Sequence, residues 1–324
     1  MSVRICECAY EHNNDVRLDR ENGQKLSEML DVCVGRAINA LSNPIGNYNE
    51  LQCNTMIEKF HGMRDTFKHV QVILGAGAKK PYSVDALTIS RLTLEDLYTL
   101  CLMFESPDYV MQYLRNGWRK NYIDFLLQAK ETKNLPRFDE YNKNIAIINL
   151  EHLRQLFGIT VEQKLSINKD ELDMPLPASM AYASIPKFPT PSGIIKIMKK
   201  TSSPEKYAML ARLYFEYSFL SSYTHGLPDA ILYKNFFSNR PTAARVLFSE
   251  DQLKSMWDRT VSERSFLISL LSVIQAVAEL TLLYPTDAEL AGSVMEIWQI
   301  MLDGFLLGQA IWNIRTKNIL RLIK

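Results

Sequence analysis

Cysteine is scarce in this chain and misplaced for a disulfide framework: five thiols stand at 6, 8, 33, 53 and 101, and none in the last two thirds. An odd, front-loaded set of this kind excludes a disulfide-stapled fold and fits a reducing compartment, so the expected location is cytoplasmic. Cys6, Cys8 and His12 lie close together, but not at the spacing of a common zinc site, and no second Cys/His pair follows nearby. Neither a metal nor a cofactor is expected. A charge excess of one sign is missing too. The balance of 37 basic and 36 acidic residues leaves a formal net charge of +1, which excludes a uniformly basic surface but leaves room for a local patch. The first thirty positions contain no apolar run flanked by basic residues, so no signal peptide is expected.

Most catalytic signatures are absent as well. Gly75-Ala76-Gly77-Ala78-Lys79-Lys80 has the wrong spacing for a phosphate loop, and G-x-S-x-G, H-E-x-x-H and paired C-x-x-C do not occur. The five histidines, at 12, 61, 69, 152 and 225, are remote from one another. Only Phe266–Tyr284 is a long apolar run, and Gln275 and Glu279 interrupt it. A charge at mid-membrane costs about 2.5–3.5 kcal/mol, so this run reads as a buried bundle helix and no membrane partner is expected.

What is present is helical periodicity. No run of period-two strands stands out, and apolar residues recur at steps of three and four nearly everywhere. Helices are expected from Leu26 to Leu41, Tyr48 to Leu74, Ser83 to Glu105, Pro107 to Leu126 and Phe138 to Phe157. Others follow from Glu205 to His225, Glu250 to Tyr284 (with a candidate break near Val261) and Thr286 to Leu320. Six of the 13 prolines fall between Pro175 and Pro204. Since proline removes a helical donor and restricts its predecessor, residues 174–202 read as a long surface loop, with Tyr182, Ile185 or Phe188 buried as anchors. The fold class is therefore an all-α multi-helix bundle with a proline-rich surface loop. Residues 1–80 read as an N-terminal helical segment and 81–324 as the main bundle, with one continuous domain as the alternative. Glu289, Glu296 and Asp303 recur every seven residues and read as a solvated helix face.

One polar pattern invites a site. Tyr207, Ala211, Tyr214, Ser218, Ser221 or Ser222, and His225 follow at steps of three or four along one helix, between the apolar flanks Leu210, Leu213, Phe215, Phe219 and Leu220. Enclosed hydroxyls need partners, and Arg91 and Glu95, one turn apart in a leucine-rich helix, are candidates. The expectation is that Arg91 and Glu95 face the 205–225 helix and reach Ser218, Ser222 or His225. The catalytic candidates are His225, Arg91 and Glu95; the ligand-binding candidates are Tyr214, Ser218 and Ser222. The bland alternative is a purely structural polar network.

The stretch Ser218-Phe-Leu-Ser221-Ser222-Tyr-Thr-His225-Gly226, with Arg91-Leu-Thr-Leu-Glu95 upstream, resembles a group of bacterial all-helical proteins of uncharacterised function. In that group a late helix ends in Ser-x-x-His-Gly. These in turn are similar to the HEPN superfamily. That resemblance implies a helical bundle acting in bacterial stress or phage defence, with RNA or a nucleotide as ligand and a homodimer as assembly. It further implies a metal-independent ribonuclease whose site is an arginine, four to six residues, then histidine. Positions 218 to 221 here are Ser, Phe, Leu and Ser, so that motif is not intact. In an enzyme, His225 would be the general acid/base and Arg91 the phosphate-stabilising cation. The rival expectation is a non-catalytic structural or protein-interaction module.

Overall fold

The computed structural model describes residues 20–76, 83–132, 135–141, 144–145, 148, 155–156, 186–224, 250–302 and 305–322. Among them helix accounts for 87% and there is no strand, as the periodicity requires. The helices are α1 Arg20–Leu41, α2 Glu50–Ala76, α3 Ser83–Met103, α4 Pro107–Thr132, α5 Pro191–Thr201, α6 Pro204–Thr224, α7 Glu250–Thr281, α8 Ala288–Met301, α9 Leu306–Ile311 and α10 Lys317–Leu322. A π-helical turn, Trp312–Thr316, joins the last two.

The chain divides into two units, residues 1–105 with 190–324, and residues 106–189. In the first, α7 runs through the interior, packed against α3, α2, α1 and α8. Every residue from Ser265 to Thr281 is buried. A helix so largely apolar belongs inside, and three of the four hydroxyls between Ser265 and Thr281 bond back to their own helix, while Ser269 Oγ is buried with no partner among the described residues. Ser265 donates to the Val261 carbonyl (2.8 Å), Ser272 to Ile268 (2.7 Å) and Thr281 to Ala278 (2.6 Å). Within α7, Glu263–Thr281 is long and apolar enough to cross a membrane by composition, yet 94% of that window is buried in the protein. No break occurs at Val261; α7 is continuous across it.

Local chemistry fixes the helix starts. Asn49 Oδ1 accepts from the Gln52 amide (3.0 Å) while Gln52 Oε1 accepts from the Asn49 amide (2.8 Å), a reciprocal cap at the head of α2. Asp287 Oδ1 accepts from the Leu290 amide (2.9 Å) and starts α8. Ser203 Oγ accepts from the Lys206 amide (3.3 Å), ahead of a first-turn proline, and starts α6.

Two expectations need correction. The segment 174–202 is not loop throughout. Residues 174–185, including Tyr182 and Ile185, lie outside the described ones, and 186–190 are without helix, but Pro191–Thr201 is α5. Pro191 occupies its first position, where no amide is missed, and Ile194 and Met198 bury its inner side. The last helix is not continuous from 286 to 320. It stops at Met301 and restarts at Leu306 behind an extended Phe305 (φ −107°, ψ 93°). Asp303-Gly304, a turn-favouring pair, stands at the interruption. Glu289 and Glu296 are exposed; Asp303 lies outside the described residues.

In the second unit, Phe188 is half-buried and set edge-on to Tyr113 of α4 (5.1 Å between centroids, 82°). Its amide donates to Asn116 Oδ1 (3.2 Å), so of the three candidate anchors this one is held on α4. The helix expected from 138 to 157 falls mostly outside the described residues.

Candidate functional site at the seam of α3 and α6

Arg91 and Glu95 are one turn apart on α3 and directed at α6. Arg91 Nε (3.0 Å) and Nη2 (2.5 Å) both donate to Glu95 Oε1. The α6 residue that meets them is Tyr217. Its hydroxyl donates to Glu95 Oε1 (2.9 Å) and accepts from Arg91 Nη2 (3.4 Å). The Arg91 guanidinium carbon also lies 5.3 Å from the Tyr217 ring centroid, within cation–π range. The seam is not sealed: the Arg91 and Glu95 side chains keep 15% and 31% of their exposure.

The electrostatics of this cluster are closed on themselves. Burial works against the Arg91 charge, and the hydrogen bond and field of Glu95 outweigh it, so its pKa is raised. Burial and then the bond to Glu95 raise the pKa of Tyr217, which keeps it protonated and donating. Around it the aromatic rings continue. Tyr98 meets Tyr217 edge-on (6.1 Å, 74°), and Tyr98 Oη donates to the Leu210 carbonyl (2.7 Å). Tyr214 stacks on Tyr217 at 5.7 Å and 27°, and the adjacent Phe215 is 73% exposed.

The structure thus brings Arg91, Glu95 and Tyr214 together around Tyr217, and sets the serines elsewhere. Ser218 is exposed, and Ser222 Oγ donates to the Phe219 carbonyl of its own helix (2.7 Å). His225 lies outside the described residues. The reason is helical phase. The buried side of α6 is Lys206, Met209, Leu210, Leu213, Glu216 and Leu220. Tyr217 is four residues past Leu213 and borders that side, whereas Ser218 is turned about 100° further toward solvent. Reading Leu210 and Leu213 as flanks of a polar row, rather than as the packing side, is what hid Tyr217. The available signal was a tyrosine falling in step with the leucines, whose hydroxyl must then find a partner.

A second polar cluster, also missed, lies deeper in the same unit. Glu279 of α7 has no side-chain exposure and accepts from Arg315 Nε (2.8 Å) and Nη2 (2.9 Å) and from Gln275 Nε2 (3.2 Å). Lys206 Nζ, 6% exposed, donates to Glu105 Oε1 (2.6 Å) and the Cys101 carbonyl (3.0 Å) and stands 3.7 Å from Glu279 Oε2. Arg315 Nη1 also donates to Ser203 Oγ (3.0 Å), and Thr316 Oγ1 donates to Gln275 Oε1 (2.6 Å). Two cations and two carboxylates balance, and burial of Lys206 is outweighed by Glu279 first among its neighbours, so its pKa is raised. Gln275 and Glu279, which interrupt the apolar run in the sequence, are therefore the acceptors and donors that tie four segments together.

A further ion pair joins α6 to α7. Arg264 donates to Glu216 Oε2 through Nε (3.1 Å) and Nη2 (2.5 Å) while covering the Phe219 ring at 4.0 Å. Among the described residues no group of three or more His, Cys, Asp or Glu is gathered as a metal site would need. Cys33, Cys53 and Cys101 are free buried thiols; Cys6 and Cys8 lie outside the described residues. Compared with family models, curated proteins and solved structures, the chain has no match in any of the three.

Proposed function

We propose that the protein is a non-catalytic binding module whose ligand is single-stranded RNA or a nucleotide, seated against α6 beside the Arg91–Glu95–Tyr217 cluster. The observation that carries this reading is the aromatic column. Tyr217 is flanked by the Arg91 guanidinium and by the half-buried Tyr214, and the next residue along α6, Phe215, is 73% exposed. Part-exposed aromatic rings accept nucleobases by stacking, with little regard for base identity.

Binding rather than cleavage is proposed because Arg91 is already committed. Its Nε and Nη2 both rest on Glu95, and a carboxylate at that distance opposes negative charge building on a phosphoryl group. The arginine that the HEPN ribonuclease motif needs before His225 is also missing from the sequence. A HEPN-like fold, a role in bacterial stress or phage defence and a homodimer belong to this proposal only through the sequence resemblance.

The test is titration of the full chain with a fluorescent oligouridylate and, separately, with adenosine monophosphate. Tyr214→Ala should weaken binding by about five- to a hundredfold, the loss of one base stack. Its stability should change little, since Tyr214 is only half-buried. Absence of binding by the wild type to either ligand sinks the reading. In that case a second reading stands, a protein-interaction module, favoured by Phe215 and by Leu92 of α3, 48% exposed.

A further inference from the structure

We propose that the outer stripe of α5 is a cationic surface that tracks the phosphate backbone of a single-stranded nucleic acid, an inference that rests on the binding function proposed above. The helix reads Pro191-Ser-Gly-Ile-Ile-Lys-Ile-Met-Lys-Lys-Thr201 and contains no acidic residue. Lys196, Lys199 and Lys200 are three and four positions apart, so they share one face, and all three are exposed. None of them is in an ion pair among the described residues, as is true also of Lys25 and Lys317, whereas Lys59, Lys68 and Lys206 of the same unit each hold a carboxylate.

The helix dipole favours Lys199 and Lys200 in the last turn and would account for those two alone. It does not account for Lys196, which stands a turn earlier and meets a like charge four residues on. A lipid surface is the obvious rival partner, and the burial pattern speaks against it. Ile194 (1% exposed) and Met198 (0%) are spent on the protein interior and Ile195 and Ile197 are half-buried, so α5 has no fully exposed apolar side chain to enter a bilayer. What α5 offers outward is a row of ammonium groups. It packs against α6 and joins it through Ser202-Ser203, and α6 carries Tyr214 and the exposed Phe215. Cations for the backbone on one helix and aromatic rings for the bases on the helix packed against it are the components of a single-strand-binding surface.

The experiment is fluorescence anisotropy of the full chain with an oligouridylate of roughly 16 nucleotides, repeated over a series of potassium chloride concentrations. K196A/K199A/K200A should bind more weakly and give a salt slope shallower by about two, three phosphate contacts at about 0.7 each. Its thermal melt should match the wild type, since all three side chains are exposed. An oligonucleotide-binding wild type whose slope the triple variant leaves unchanged overturns the lysine stripe and leaves the aromatic site standing. A wild type that binds no oligonucleotide overturns both. Lysine-dependent binding to phosphatidylserine vesicles without oligonucleotide binding assigns the stripe to a membrane surface and overturns the proposal.

Discussion

Replacing Glu279 by alanine should destabilise the protein by about 3–5 kcal/mol, the usual cost of breaking a fully buried charge network from one side. Glu279 has no exposed surface, and the Arg315 guanidinium is matched to its two oxygens. Without it Arg315 keeps only Ser203 among the partners described above, and Lys206 keeps Glu105 and a carbonyl. The urea midpoint should fall with an unchanged slope. The pair can be isolated by a double-mutant cycle. Glu279→Ala with Arg315→Met should cost less than the two single changes summed, because the second removes the cation that the first strands. A Glu279→Ala protein as stable as the wild type would mean that these groups do not meet.

Stability should also fall steeply above pH 9, and the sign follows from the thiols. Burial pushes Cys33 and Cys101 up from the usual 9.0 to about 12. A raised folded pKa means that the unfolded chain loses the proton first. The contribution is therefore whole below pH 9, declines between 9 and about 12, and is gone above it. Each such thiol adds a slope of about 1.4 kcal/mol per pH unit in that window. Tyr48, raised from 10.0 to about 12 by its own burial, steepens the upper part. Urea midpoints at pH 8, 10 and 11 measure this, and Cys101→Ala should remove about one thiol's worth of the slope. A profile flat through pH 11 would show that the thiols ionise in place.

The helical class and most helix starts were legible in the sequence, because they depend on neighbours within a few positions. Pro107, Ser203-Pro204 and the 3.6-residue apolar spacing each act locally, and the structure places α4, α6, α2 and α3 accordingly. The candidate site was legible only by half. Arg91 and Glu95 do face α6, but which α6 side chain they meet depends on helix rotation, and one position of phase separates Tyr217 from Ser218. Proline density concealed α5, since prolines just before and at its first position are compatible with a helix and the Ile194–Met198 spacing was readable. The partners of Glu279 were beyond reach for another reason. Arg315 is brought to it by a π turn, and counting at 3.6 residues per turn has no means of registering one.

That π turn bears on what length of chain the C-terminal segment can have. Ile311 and Thr316 are both buried although they are five residues apart, a spacing that an α-helix would splay across its circumference. The wide turn takes in one residue more than a regular turn, and Asn313, inside it, is exposed. Excising Asn313 would put Ile311 and Thr316 four apart, and an ordinary α-turn would then keep both inward and leave Arg315 and Thr316 in step with Glu279 and Gln275. The same excision one turn later, at Asn318, would rotate Ile319 out of the core. Of the exposed positions in this segment, therefore, the one inside the wide turn is where a chain one residue shorter could still close on α7.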